Sequence, residues 1–133
     1  MKVKHKFPPN YEEIIKHLPW VAEMPHAIFT YETTIYVPSG NEISKDLEAH
    51  EWIHSLQQKD MGVKKWWNQY YIDSSFRLSQ ETEAYRNQYQ YGVANYNRHY
   101  RRQLLKKISD DLSGPLYGSL ITKEEAKELI MQE

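Results

Sequence analysis

Residues 34–58 read TIYVPSGNEISKDLEAHEWIHSLQQ. The β-branched and aromatic residues of 27–37 predict one or two short strands. Pro38, Ser39 and Gly40 predict the turn after them. A helix is expected to open near Asn41 to Ser44 and to run to about Lys59. Ile43, Leu47, His50, His54 and Gln57 recur at three- and four-residue spacing and so share one face of it. Within that helix His50, Glu51, Trp52, Ile53 and His54 spell H-E-x-x-H.

Each residue type in this pattern has a chemical reason. Positions i and i+4 lie one turn apart, so His50 and His54 can aim two imidazoles at one ion. Zinc favours nitrogen ligands and a tetrahedral arrangement, and a catalytic site keeps one position for water. Glu51, beside the first imidazole, has the reach of a general base toward that water. The ion would lower the pKa of the water and polarise a carbonyl. Chance alone gives the pattern in roughly one chain of this size in a hundred. Two hydrogen-bonded, half-buried histidines are the bland alternative.

The bulk composition narrows the field. A chain of 133 residues has the size of one domain, taken as 1–133. Seventeen basic residues balance 18 acidic ones, so the chain is not a general polyanion binder. No apolar run approaches the ~20 residues of a membrane span. MKVKHKFPPN is basic but lacks the apolar core of a signal peptide, which fits a cytoplasmic protein. Without cysteine, any metal must be held by His, Asp or Glu.

Elsewhere the chain reads as mostly helical. Asn10 and Glu13 form a potential capping box for a helix over about 11–18 that stops before Pro19. Residues 63–73 suggest a short helix plus loop. A helix over 75–91 would be capped by Ser74 or Ser75 and ended by Gly92. Another is expected over 94–111, and Thr122 with Glu125 predicts a capping box for a last helix to about 131. The fold class is α+β, mostly helical, with a small β element before the H-E-x-x-H helix.

A two-histidine site needs a third protein ligand. Asp60 lies six residues after His54, where the H-E-x-x-H-x-x-G-x-x-H pattern or its Asp variant puts a third ligand, but Gln57 stands where that pattern needs glycine for the turn back. His99 lies far along the chain in a basic segment. The acidic pair of SQETEAYRNQ, Glu81 and Glu83, lies on a following helix, where a carboxylate would complete a His-His-Glu site. The two glutamates are about 200° apart around a helix, so only one can face the ion.

The combination HEWIH … ETEAY resembles the gluzincins, zinc peptidases with an H-E-x-x-H helix and a glutamate ligand on a later helix. The likeness extends over residues 28–91 to the small minigluzincin type and to short metallopeptidase-like proteins of phage genomes. Aligned on E-x-x-A-D, Glu81 takes the ligand position and Ala84 the small packing position, while Tyr85 replaces the usual Asp. The E-x-x-x-D register would put Glu83 at the metal and Asn87 in place of the Asp. Glu81 is preferred because Ala84 lets two helices approach. The family's Asp orients the first histidine, so Tyr85, Asn87 or a backbone carbonyl would have to do so here.

The resemblance implies a zinc metallopeptidase acting on a peptide or protein. His50, His54 and Glu81 would hold Zn2+, and Glu51 would be the catalytic base. It also implies an edge strand, Tyr31 to Tyr36, that pairs with extended substrate. Tyr70, Tyr71, Tyr85 and Tyr89 are candidate donors to an oxyanion, and Gln57 is placed to hydrogen-bond near the site. Two other readings stand beside this one. The chain could be a degenerate zincin that binds metal without cleaving anything. YQYGVANYNRHYRRQLLKK, residues 89–107, interleaves basic and aromatic residues as nucleic-acid binders do. The net charge of −1 weighs against nucleic acid.

Overall fold

The helix that carries the motif begins where its chemistry dictates. Ser44 sits at the N-cap with extended backbone, and its hydroxyl accepts the Leu47 N–H at 3.4 Å. In the computed structural model, which describes residues 1–132, this helix is α2, Lys45–Met61. It ends at Gly62, whose φ of 93° lies in the region that disfavours side chains. Helix α3, Val63–Ile72, follows at once, so residues 63–72 are one continuous helix rather than a short helix plus loop, and only Asp73 separates it from the next helix.

Among the described residues the elements are β1 (Lys2–Lys4), α1 (Tyr11–His17), β2 (Phe29–Tyr31), β3 (Thr34–Tyr36), α2, α3, α4 (Ser74–Asn95), α5 (Arg98–Ser113) and α6 (Lys123–Met131). Short 3-10 turns cover Pro19–Glu23 and Pro115–Tyr117. The protein is therefore mostly helical α+β, as expected. The expected capping box of Thr122 and Glu125 is present on α6, with both bonds formed at 3.0 and 3.1 Å.

The sheet differs from expectation. Its order is β1-β3-β2, with β1 parallel and β2 antiparallel to β3. The span from Tyr31 to Tyr36 therefore does not form an edge strand. Thr34–Tyr36 is the central strand, because the N-terminal Lys2–Lys4 covers its far side. The free edge belongs to β2, which packs beside α2.

Three helix ends also differ. Asn10 sits at the N-cap of α1 but makes no capping bond; its Nδ2 donates instead to the Tyr71 hydroxyl at 2.8 Å. Glu13 lies 3.5 Å from His17 one turn on. Helix α4 is capped by Asp73, not by Ser74 or Ser75; the carboxylate accepts the Phe76 N–H at 3.0 Å. Gly92 does not end α4. It is a helical residue whose missing Cβ lets α5 come close, since a Cβ there would lie 2.7 Å from Leu104 Cδ2. Helix α5 consequently starts at Arg98 under an Asn97 cap.

Two apolar clusters flank α2 and α4. One gathers Ile14, Leu18, Phe29, Trp66, Trp67 and Tyr71; the other gathers Tyr85, Leu105, Ile108, Leu112, Ala126 and Ile130. Helix α2 supplies no buried apolar residue to either. Its buried side chains are Asp46, His50, Glu51, His54, Ser55 and Gln58, every one polar. Burying such a face is unfavourable unless its groups are partnered, so the partners identify the site.

Candidate metal centre

Helical spacing brings His50 and His54 together, and α4 lays Glu81 across them. His50 Nε2 and His54 Nε2 are 3.2 Å apart. Glu81 Oε1 is 3.0 Å from the first and 3.1 Å from the second. All three side chains are about 95% buried. The other oxygen of Glu81 accepts the Tyr70 hydroxyl at 2.5 Å, which fixes the carboxylate plane.

The remaining nitrogen of each imidazole settles what the inner ones present. His50 Nδ1 is 3.0 Å from Gln88 Oε1, and His54 Nδ1 is 2.9 Å from Gln57 Oε1. An amide oxygen only accepts, so each Nδ1 carries the proton. Each neutral ring then points an unprotonated Nε2 inward. Two nitrogen lone pairs and a carboxylate oxygen thus converge with no donor among them. A cation at the centre resolves that repulsion. Tetrahedral zinc with bonds near 2.0–2.1 Å sets its ligand atoms about 3.3 Å apart, so the observed triangle fits it with an expansion of a few tenths of an ångström.

Without a metal, one proton takes the cation's place. Burial opposes charge on His54, but the Glu81 carboxylate outweighs burial and lifts the imidazole to about 9. Burial likewise opposes charge on Glu81, and His54 and His50 outweigh it, holding the carboxyl well below its ordinary range.

Glu51 enters from the same helix. His50, Glu51 and His54 each place a donor atom within 4.8 Å of the others, so this group could hold a metal ion. Glu51 Oε2 is nevertheless 3.6 Å from His50 Nε2, farther than Glu81 Oε1. Its Oε1 accepts the Thr30 hydroxyl at 3.0 Å. Glu81 therefore closes the triangle, and Glu51 stands beside it, held toward β2.

The other candidates fall elsewhere. Glu83 is exposed and accepts the Gln57 Nε2 at 2.9 Å, so it orients a partner of His54 instead of facing the triangle. Asp60 and His99 are exposed and are not among the residues grouped at the triangle. The Tyr85 hydroxyl pairs with the Tyr117 hydroxyl at 3.1 Å, while its ring packs edge-on against His50. Tyr71 is engaged by Asn10, and Tyr89 packs against the α5 cluster. Of the four tyrosines, Tyr70 is the one whose hydroxyl meets the triangle.

The group orienting His50 is none of those expected from the sequence. Asn87 donates to the Ala49 carbonyl, and Tyr85 is occupied as described. Gln88 does it, seven residues after Glu81 and hence on nearly the same face of α4. That spacing was the one signal available. Gln88 Nε2 donates in turn to Asp46 Oδ2 at 2.8 Å, and the Tyr96 hydroxyl donates to Asp46 Oδ1 at 2.5 Å. Burial opposes the Asp46 charge, and the bonds from Tyr96 and Gln88 outweigh it, keeping the carboxyl below its ordinary range.

A cleft of about 660 Å³ opens over the triangle. Apolar side chains dominate its walls, among them Leu18, Val21, Phe29, Trp66 and Leu116. The basic stretch of α5 lies outside the triangle. Lys106 and Lys107 are paired with Asp110 and Asp111 at 3.1 and 3.0 Å, and Lys123 of α6 meets Asp110 at 2.8 Å. No helix among the described residues is long and apolar enough to cross a membrane. No family model matches the chain, nor does any curated protein or solved structure.

Proposed function

We propose that this chain is a zinc-dependent hydrolase whose substrate is a peptide bond. One observation carries the reading. Two imidazoles, each with its outer nitrogen committed to an amide oxygen, converge with a carboxylate oxygen at 3.0–3.2 Å, and a second carboxylate stands alongside. His50, His54 and Glu81 would hold Zn2+. When bound, zinc supplies Lewis acidity toward a water and toward a carbonyl oxygen.

The chain's own residues do the rest. Glu51 takes a proton from the attacking water and returns it to the leaving amine. Thr30 holds one oxygen of Glu51, which leaves the other to work. Tyr70 keeps Glu81 in place. Burial and the Glu81 carboxylate push the Tyr70 phenol well above its usual value, so it stays a donor. The apolar cleft walls exclude water around the reacting groups.

A peptide is favoured over other acyl substrates by the position of β2. The strand is a sheet edge and Thr30 within it touches the base, so an extended chain alongside it would run past Glu51. Gln58 already occupies the Thr30 carbonyl and the Glu32 N–H, at 2.8 and 2.7 Å. Pairing would therefore be confined to the part of the edge that precedes the Thr30 carbonyl.

The test is metal content by mass spectrometry of protein purified without added metal, for the wild type, Glu81→Ala and Glu83→Ala. One zinc per chain, lost in Glu81→Ala and kept in Glu83→Ala, supports the site. No zinc in the wild type, even after reconstitution, overturns it. Zinc without cleavage of any peptide in a mixed library leaves a metal-binding protein and removes the hydrolase.

A further inference from the structure

The two histidines are held by two matching chains of hydrogen bonds. Each runs imidazole Nδ1–H to glutamine Oε1, then glutamine Nε2–H to carboxylate. The first is His50–Gln88–Asp46, with steps of 3.0 and 2.8 Å; the second is His54–Gln57–Glu83, with steps of 2.9 and 2.9 Å. The Gln80 carbonyl also accepts from Gln57 Nε2, at 3.1 Å.

An amide side chain is ambiguous by itself. Rotated by 180°, it presents an NH2 where it had an oxygen. A flipped Gln88 would donate to His50 Nδ1 and force the ring proton onto Nε2, where it would occupy the place of the ion. The carboxylate at the far end forbids that rotation, because two oxygens would then face each other at 2.8 Å. Asp46 thus decides which nitrogen of His50 is free, and Glu83, together with the Gln80 carbonyl, does the same for His54. Gln57 on α2 reaches Glu83 on α4, and Gln88 on α4 reaches Asp46 on α2, so the two relays cross between the same pair of helices in opposite directions.

We propose that Gln88 and Gln57 are positioning residues for the metal, and that Asp46 and Glu83, which do not touch the triangle, set the affinity of the site by fixing the direction of those two amides. The inference rests on the metal reading above. It does not require hydrolysis. It also assigns a role to Glu83 that differs from ligation, and to Asp46, which no sequence motif marks.

The experiment measures zinc affinity by competition with a chromogenic chelator at fixed pH, with circular dichroism as a check on folding. Gln57 lies on the half-buried rim and Glu83 is exposed, so that pair can be changed without opening the core. Gln57→Leu and Gln88→Leu are each expected to weaken zinc binding by roughly 10–100-fold. Glu83→Ala should weaken it less, and Gln57→Leu/Glu83→Ala should bind no more weakly than Gln57→Leu alone, because the carboxylate acts through the amide.

The buried pair offers a rescue. Gln88→Glu with Asp46→Asn keeps an acceptor at His50 and a donor between the two side chains, so affinity should return to within a few-fold of wild type. Zinc affinity unchanged in the two leucine variants overturns the proposal. Additive losses in the Gln57/Glu83 cycle overturn the part assigned to the carboxylates. A wild type that takes up no zinc overturns the metal reading, and this proposal with it.

Discussion

His50 Nε2 and His54 Nε2 face each other at 3.2 Å, while the opposite nitrogen of each ring is committed to a glutamine oxygen. Neither atom can satisfy the other as long as both rings are neutral. The pair is stable only with a positive charge between or beside them, and Glu81 strengthens that demand. Proton and metal therefore compete for one place.

That competition has a pH signature. The His54 imidazole is raised from 6.5 to about 9 in the metal-free protein. Its contribution to stability is full below 6.5 and is lost as the pH rises through about 9. Glu81 is depressed from 4.5, so its contribution is full above 4.5 and is lost as the pH falls below that. The metal-free protein should be most stable between these limits, and its Tm should fall between pH 6.5 and 9. With zinc bound, that alkaline decline should vanish. Calorimetry of chelated and zinc-loaded samples across this range checks both. Identical pH profiles for the two samples would count against a shared place for proton and ion.

Glu51→Gln should bind zinc as the wild type does and lose turnover by about 10²–10⁴-fold, the usual range for a lost general base. Thr30→Val removes the hydroxyl that Glu51 Oε1 accepts from. It should lower turnover by a smaller factor with zinc content unchanged, because the carboxylate then swings free. Kinetics alongside metal analysis read both variants. Wild-type turnover in Glu51→Gln would remove it from the mechanism.

The motif on α2 was legible because its chemistry is local. Four residues separate His50 from His54, and helix geometry alone brings them together. Glu81 was preferred through the E-x-x-A-D register of the gluzincin resemblance, with Ala84 as the small packing residue; helical phase alone left it open against Glu83. The partners of the histidines were not legible. Gln88 is 38 residues from His50 and 42 from Asp46, and glutamine carries no pattern that separates a buried role from a solvated one. The sheet order was missed for a related reason. Lys2–Lys4 has too few residues and too much exposure to show an alternating pattern, yet it decides that Thr34–Tyr36 is central. At Asn10 a local capping signal lost to a tertiary hydrogen bond with Tyr71, 61 residues away. Local rules held where local contacts dominate, as in the Thr122–Glu125 box.

Ile108 provides a control for the metal assays. It is 1% exposed, in the cluster between α5 and α6. Ile108→Ala should destabilise the protein by about 2–5 kcal/mol through lost burial and the cavity left behind. Below its lowered Tm it should still bind one zinc. Loss of zinc from folded Ile108→Ala would mean that the triangle depends on this cluster more than its own bonds imply.

Gln58 joins the sheet to the metal helix, and its removal tests how the base is held. The side chain is 1% exposed. Its Nε2 donates to the Thr30 carbonyl and its Oε1 accepts the Glu32 N–H, so one amide stands in for a neighbouring strand along the free edge of β2. Glu32 needs that support, since its φ of 56° is uncommon for a residue with a side chain. Gln58→Leu keeps the volume but strands a carbonyl and an N–H. Each unsatisfied group costs about 1–3 kcal/mol when buried, and partial access of water to Glu32 brings the expected total to about 2 kcal/mol. The same change loosens Thr30 and with it the Thr30–Glu51 bond. Turnover should therefore fall while zinc affinity stays constant, because neither histidine nor Glu81 touches β2 through a hydrogen bond. Denaturant unfolding, zinc competition and kinetics on this one variant separate the three effects. A parallel loss of zinc would show that β2 supports the triangle itself as well as the base.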